Sequence, residues 1–254
     1  MSHKGNYGHA LIVAGNTGKM GAAVIASKAC LRSGVGLLTV NIPKEERSIL
    51  QIAVPEAMVT IRENKMNLTS FSAACIGPGI GTDTATTALV TDFLENYKQP
   101  LLIDADALNI IAADKLLLDK LPEGSVLTPH PKEFDRLFGA HTSVEERMDT
   151  AIAMAKKYRL VIVLKGHHTL VTYDGLVYIN NTGNAGLAKG GSGDALSGII
   201  CALLAQGYNA FDAAKMGVHL HGLAADIALA NQSMESMLIT DVIECLGNAF
   251  KSLM

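Results

Sequence analysis

The chain has 254 residues, 49% of them apolar and 18% charged, and its 21 basic and 24 acidic side chains leave a net charge of −3. Set against a soft figure of about 150 residues per domain, the length allows one large α/β domain or two small ones. The charge balance excludes a general attraction to nucleic acid or anionic membrane, and the apolar stretches are interrupted before the roughly 18 residues that a membrane helix needs.

The first twenty residues, through His3, Lys4, Asn6 and His9, lack the basic-then-apolar pattern of an export signal. Short β-branched runs then alternate with helical patterns. Predicted strands are Ala10–Ala14, Gly36–Asn41, Ala57–Ile61, Ala73–Ile76, Leu101–Asp104, Ser125–Thr128 and Leu160–Leu164. Several are apolar on consecutive positions, as in a strand covered on both faces of a parallel sheet. A helix is predicted from near Lys19 to Arg32, stopping at Gly34. Ser143 and Glu146 read as a capping box for another. In it Val144, Met148, Ala151, Ile152 and Ala155 recur at helical spacing and would face the sheet. Acidic residues early and Lys156 and Lys157 late suit its dipole. Thr169–Tyr173 and Leu176–Asn180 flank Asp174-Gly175, a hairpin signal that appends an antiparallel pair to a mainly parallel sheet. Asp194–Gln206 and Ala210–Ala230 read as two long, largely buried helices. With no linker, charge block or repeat, the expectation is a single domain over residues 1–254.

Cys30, Cys75, Cys201 and Cys245 are far apart in sequence, in apolar surroundings, with no CxxC pair and no zinc spacing. Reduced core cysteines and a cytoplasmic location are expected.

Polar residues collect after the buried strands. The first runs into Gly15-Asn16-Thr17-Gly18-Lys19-Met20-Gly21 and the fourth into Gly77-Pro78-Gly79-Ile80-Gly81. Later ones end in Asp104-Ala105-Asp106-Ala107-Leu108-Asn109, Thr128-Pro129-His130-Pro131-Lys132-Glu133 and Lys165-Gly166. In an open parallel sheet these junctions meet along one edge, where ligand crevices form. Each also has a plain reading: a tight turn for the glycines, a helix cap plus a solvated acid for Asp104 and Asp106, a surface marker for Lys165. Neither a GxGxxG fingerprint nor a GxxxxGK[ST] loop is present.

The strongest local signal is Lys189-Gly190-Gly191-Ser192-Gly193-Asp194 before an apolar helix. Glycines let backbone N–H groups approach a ligand, and the helix start adds unpaired donors and the positive dipole end, an anion hole suited to a phosphoryl group. Asp194 reads either as an ordinary N-cap or as the base that accepts the proton of an attacking hydroxyl; the glycine run before it favours the base. His219 and His221, two apart on a helix, point in different directions and do not chelate one ion; packing or a single ligand contact is expected.

Together, His3-Lys4-Gly5, the Gly77–Gly81 run, Asp104–Asn109, Thr128-Pro129-His130-Pro131, Leu164-Lys165-Gly166 and Gly190–Asp194 resemble the NAD(P)HX dehydratase family, within the ribokinase-like superfamily. The resemblance implies a three-layer α/β/α fold with a mainly parallel central sheet and an appended antiparallel hairpin. It implies dehydration of (6S)-NADHX and NADPHX, hydrates of the reduced nicotinamide ring, with ADP or ATP as phosphoryl donor and Mg2+ as cofactor. By the same resemblance Ala22, Gly79, Gly81, His130 and Asp194 contact the hydrated dinucleotide, with Asp194 catalytic. Lys165, Gly166, His167, His168, Thr169, Gly191, Ser192 and Gly193 contact the adenine nucleotide. Asp104, Asp106 and Asn109 shape the crevice or hold the metal's water shell, with no direct metal ligand assigned. Lys132 and Lys189 depart from the family pattern and are expected to add positive charge near the phosphates. The resemblance further implies a homotetramer and, with no fused epimerase domain, a separate epimerase acting on the same pathway. A small-molecule kinase of the same superfamily, or a nucleotide sensor without turnover, would share the fold and the anion hole.

Overall fold

The computed structural model describes residues 4–64 and 66–253; His3 lies outside the described residues. The strands are β1 (His9–Val13), β2 (Leu37–Ile42), β3 (Met58–Ile61), β4 (Ala73–Ile76), β5 (Leu101–Ile103), β6 (Val126–Leu127), β7 (Val161–Leu164), β8 (Leu170–Tyr173) and β9 (Leu176–Ile179). The helices are α1 (Met20–Arg32), α2 (Arg47–Ala53), α3 (Thr84–Asn96), α4 (Ala105–Ala113), α5 (Pro131–Phe138), α6 (Val144–Tyr158), α7 (Ser192–Ala205), α8 (Ala210–Ala228) and α9 (Ile239–Lys251).

All nine strands form one sheet in the order β3-β2-β1-β4-β5-β6-β7-β8-β9. Pairing is parallel from β3 to β7 and antiparallel from β7 through β8 to β9. The β8–β9 turn is the expected one: Asp174 and Gly175 both take positive φ, 43° and 83°, which matches the twist of a two-residue hairpin.

Alternate residues of each buried strand feed opposite cores, because side chains point to opposite faces with period two. Ala10 and Ile12 join α1, α7, α8 and α9 on one face, while Leu11 and Val13 join α3 and α4 on the other. Further along that second face, α5 and α6 cover Ile162 and Leu164. The result is the three-layer α/β/α arrangement.

Three local expectations are corrected. Ser143 caps α6 by accepting from Glu146 N at 3.0 Å, but the Glu146 carboxylate turns to Thr142 N and Oγ1, so the reciprocal half of the box is not made with Ser143. Val144 is 63% exposed instead of facing the sheet; α6 buries Ala151 and Ala155, from its middle and last turns. α7 begins at Ser192, two residues earlier than expected, and takes Asp194 inside its first turn. After Ala230 the sequence reading placed no element; Ile239, Val242, Ile243, Leu246 and Ala249 bury one face of α9 there.

Candidate active site

Strand order reverses between β1 and β4: the chain steps outward from β1 to β2 and β3, then returns to place β4 on the other side of β1. At such a switch point the loops leaving the two strands diverge and open a crevice. The loops here hold each other. Gly15 N donates to Pro78 O at 2.8 Å, and Asn16 Nδ2 donates to Ile80 O at 2.9 Å. A Cβ on Gly79, whose φ is +65°, would lie 2.9 Å from Ala22 Cβ, so the start of α1 packs directly onto the turn. Gly81 N donates to Asp106 Oδ2 at 2.8 Å, and Lys19 Nζ stands 3.8 Å from the same oxygen. Thus Ala22, Gly79, Gly81 and Asp106, distant in sequence, form one wall.

Next to this wall stands Asp104, which follows β5 and is only 1% exposed. Ala105 takes φ +50°, a left-handed conformation that costs a non-glycine residue free energy and turns the chain sharply into α4. Gly77 is obliged to be glycine: its φ is +133°, and a Cβ there would collide with Asp104 O. The Asp104 carboxylate accepts from Lys165 Nζ at 2.9 Å and from Ser197 Oγ at 2.8 Å. Burial pushes this carboxyl up, but Lys165, Ser197 and Thr128 overcome burial and hold it below the ordinary range. Burial likewise pulls the Lys165 ammonium down, and Asp104 and Glu133 more than offset that pull. Both partners are therefore ionised.

Glu133 Oε2 lies 3.9 Å from Lys165 Nζ and accepts from His130 N at 2.8 Å. His130 Nδ1 in turn accepts from Lys132 N and Glu133 N, a reciprocal cap on α5. Burial, then Lys165 and Arg136, keep the imidazole more acidic than usual. With Nδ1 committed as an acceptor, the neutral ring carries its proton on Nε2, 3.5 Å from Glu133 Oε1.

Asp194 faces this group from the first turn of α7. It is not the N-cap: that position is Gly191, in a left-handed conformation with φ 90°. Burial, then the charge of Asp104, raises the Asp194 carboxyl to about 6, with Lys165 acting against the rise. Ser192 N turns back to Lys189 O at 3.4 Å, so the first-turn donors left without an intrahelical partner are those of Gly193 and Asp194. A Cβ on Gly193 would stand 3.4 Å from Lys165 Nζ and 3.6 Å from Asp104 Oδ2, so the glycine opens the anion hole directly onto the lysine.

A cavity of about 660 Å³ adjoins this point, lined by His130, Lys165, Gly166, His167, Thr169, Ser192 and Gly193 and continuing along residues 180–188 to Val218 and His221. His168 is exposed, its ring centroid 4.4 Å from that of His167. Asn109 is turned to Arg136 Nη1 at 2.8 Å. Lys189 does not face the anion hole: its Nζ donates to Glu235 O and Met237 O at 2.6 and 2.7 Å, while Lys132 is exposed. Sequence reading assigned no role to Ser197 or Glu133. Ser197 is one helical turn beyond Asp194, and that spacing was the available signal; Glu133 stood in the junction after the sixth strand. Among the described residues no cluster of three or more His, Cys, Asp or Glu forms a metal site.

A mainly parallel sheet with a switch-point crevice, a helix start with free amides and an acid inside its first turn defines a ribokinase-like fold. The family model for NAD(P)H-hydrate dehydratase matches residues 10–248, and the chain belongs to that family. It is 37% identical over 250 residues to the ADP-dependent (S)-NAD(P)H-hydrate dehydratase of Neisseria meningitidis, covering 95% of this chain and 84% of that one. It is also 37% identical over 268 residues to the bifunctional NAD(P)H-hydrate repair enzyme of Moorella thermoacetica, covering 99% of this chain and 51% of that one. The chain thus spans about half the length of the bifunctional relative. Among solved structures, the ADP/ATP-dependent NAD(P)H-hydrate dehydratase of Bacillus subtilis, co-crystallized with ATP/Mg2+, superposes with a TM-score of 0.87 at 30% identity, covering 100% of this chain and 92% of that one.

Proposed function

We propose that this chain dehydrates (6S)-NADHX and NADPHX to NADH and NADPH, with ADP or ATP as phosphoryl donor. The observation that carries the reading is Asp194: a half-buried carboxylate, raised to about 6, beside free first-turn amides and the Lys165 ammonium. A group so tuned is ionised at neutral pH yet basic enough to take a proton.

Hydroxide is a poor leaving group and phosphate a good one. Asp194 takes the proton of the ring 6-hydroxyl as its oxygen bonds to the terminal phosphorus of the nucleotide. The bond from that phosphorus to the bridging oxygen breaks, and ADP departs as AMP. The amides of Gly193 and Asp194 and the Lys165 ammonium offset the charge on the transferring group. The ring nitrogen's lone pair then expels phosphate from carbon 6, and loss of a proton from carbon 5 restores the dihydropyridine. Ala22, Gly79, Gly81 and His130 hold the hydrated ring, while Lys165–Thr169 and Gly191–Gly193 hold the nucleotide.

Magnesium would neutralise the nucleotide phosphates. With no cluster of three or more metal-binding side chains among the described residues, it would be held by phosphate and water, with Asp106 and Asp194 as the acids able to accept from its waters; Asp104 is committed to Lys165 and Ser197. No helix among the described residues is long and apolar enough to cross a membrane. Exposed Leu176, Val177 and Ile179 on the edge strand β9 favour a homo-oligomer, a tetramer by family resemblance.

Incubation with ADP and (6S)-NADHX tests the activity. Recovery of the reduced-nicotinamide absorbance, with one AMP and one phosphate per turnover, is expected. No recovery with ADP or ATP, alongside phosphorylation of some other alcohol, overturns the reading in favour of a kinase.

A further inference from the structure

From Ala195 to Ala205 every residue of α7 is buried, and the side chains there are apolar apart from Ser197 and the bare Gly198. A hydroxyl in such a run is costly unless it is hydrogen-bonded. Ser197 is 0% exposed, and its Oγ reaches out of the helix to donate to Asp104 Oδ2 at 2.8 Å, 93 residues away in sequence. The placement of the helix does not require this bond. A Cβ on Gly198 would run into Ala26 O, so α7 already rests on the backbone of α1.

The bond bears instead on the cation. Asp104 offers two oxygens; Lys165 Nζ donates to Oδ1 at 2.9 Å while Ser197 holds Oδ2. A carboxylate lacking a second partner draws an ammonium between both oxygens, where the attraction is greatest. With Oδ2 taken by a neutral donor, the lysine keeps to one oxygen. Its Nζ then stands 3.4 Å from the place that a Cβ on Gly193 would fill. Glu133 Oε2, at 3.9 Å, is too far to accept a hydrogen bond from it. Of the three ammonium donors, two are thus left, among the described residues, for an oxygen arriving at Gly193. Asp104 Oδ2 lies 3.6 Å from the same place. Unshielded, it would repel an incoming phosphoryl oxygen; the serine proton lies on it instead.

We infer that Ser197 is a positioning residue for phosphoryl transfer: by occupying Asp104 Oδ2 it confines Lys165 to Oδ1 and aims the free ammonium donors at Gly193. This rests on the nucleotide reading above. Ser197, fully buried, touches neither nucleotide nor substrate and acts through Asp104 on Lys165.

Titration calorimetry of the full chain with ADP, inorganic tripolyphosphate and adenosine tests it in Ser197→Ala, Lys165→Met and the double variant. Loss of the hydroxyl should raise Kd for ADP and tripolyphosphate about tenfold, the effect of one charge-assisted hydrogen bond, with adenosine unchanged. Turnover at saturating ADP should fall by a similar factor. In the Lys165→Met background the same substitution should change ADP affinity no further, since the group it steers is gone. Unchanged ADP affinity in Ser197→Ala, or losses that add in the double variant, overturns the inference and leaves the nucleotide reading intact. A wild-type chain that binds neither ADP nor tripolyphosphate overturns both. Ser197→Cys, close in volume but a weaker donor, should lie between serine and alanine. Should the alanine variant fail to fold, unchanged ADP affinity in the cysteine variant sinks the inference.

Discussion

The Lys165 ammonium lies 2.9 Å from Asp104 Oδ1, pairing the cation at the edge of the cavity with a carboxylate that is 1% exposed. The two arise 61 residues apart, at the ends of strands β5 and β7. Truncating the lysine leaves a buried charge without its partner, which typically costs about 3–5 kcal/mol. Lys165→Ala should therefore lower thermal stability as well as nucleotide affinity. Lys165→Ala combined with Asp104→Ala should lose less than the sum of the single losses, as read from denaturant melts. A purely additive result would deny the coupling.

Asp194→Asn should lose turnover by about a thousandfold, in the range of removing a positioned base, while binding ADP almost as before. Because the carboxyl is raised above its unfolded value, its contribution to stability is present at low pH and is lost as pH rises through about 6. At neutral pH the asparagine variant should melt higher than the wild type, by a free energy of about 1–3 kcal/mol. That gap should close on acidification toward the ordinary carboxylate range.

The same carboxyl predicts the pH profile of turnover. Activity at saturating substrate should rise with pH on a limb centred near 6 and then level, as the base loses its proton. Kinetics across that range check it; a flat profile would reassign the base.

Gly193→Ala separates the anion hole from the fold. A methyl 3.4 Å from Lys165 Nζ and 3.6 Å from Asp104 Oδ2 is accommodated without moving backbone, so the melting temperature should hardly change. The methyl nevertheless occupies the approach of a phosphoryl oxygen to the lysine. ADP affinity should drop by at least about tenfold, equivalent to one charge-assisted hydrogen bond, and titration calorimetry measures it.

His130→Ala should act on substrate and on α5 at once. Losing the imidazole acceptor of Lys132 N and Glu133 N removes a helix cap worth about 1 kcal/mol. Steady-state kinetics should show the KM for the hydrated dinucleotide raised about tenfold or more, with the Kd for ADP little altered.

The amino-acid sequence by itself determined the strand pattern and its parallel character, because consecutive apolar positions are tolerable only where both faces of a strand are covered. It also determined the Asp174-Gly175 hairpin, whose positive φ values few other pairs adopt, and the glycine run before Asp194. The periodicity of α9 was equally legible but lay beyond the elements read. Only the tertiary structure decided which strand ends adjoin. It set Ala22 against Gly79, Asp106 against Gly81, and Asp104 against both Lys165 and Ser197. It also turned Lys189 away to the carbonyls of Glu235 and Met237. The physical reason is range: propensity, capping and periodicity are settled within a turn or two of chain. The direction of a long charged side chain and the burial of an acid depend on neighbours dozens of residues away.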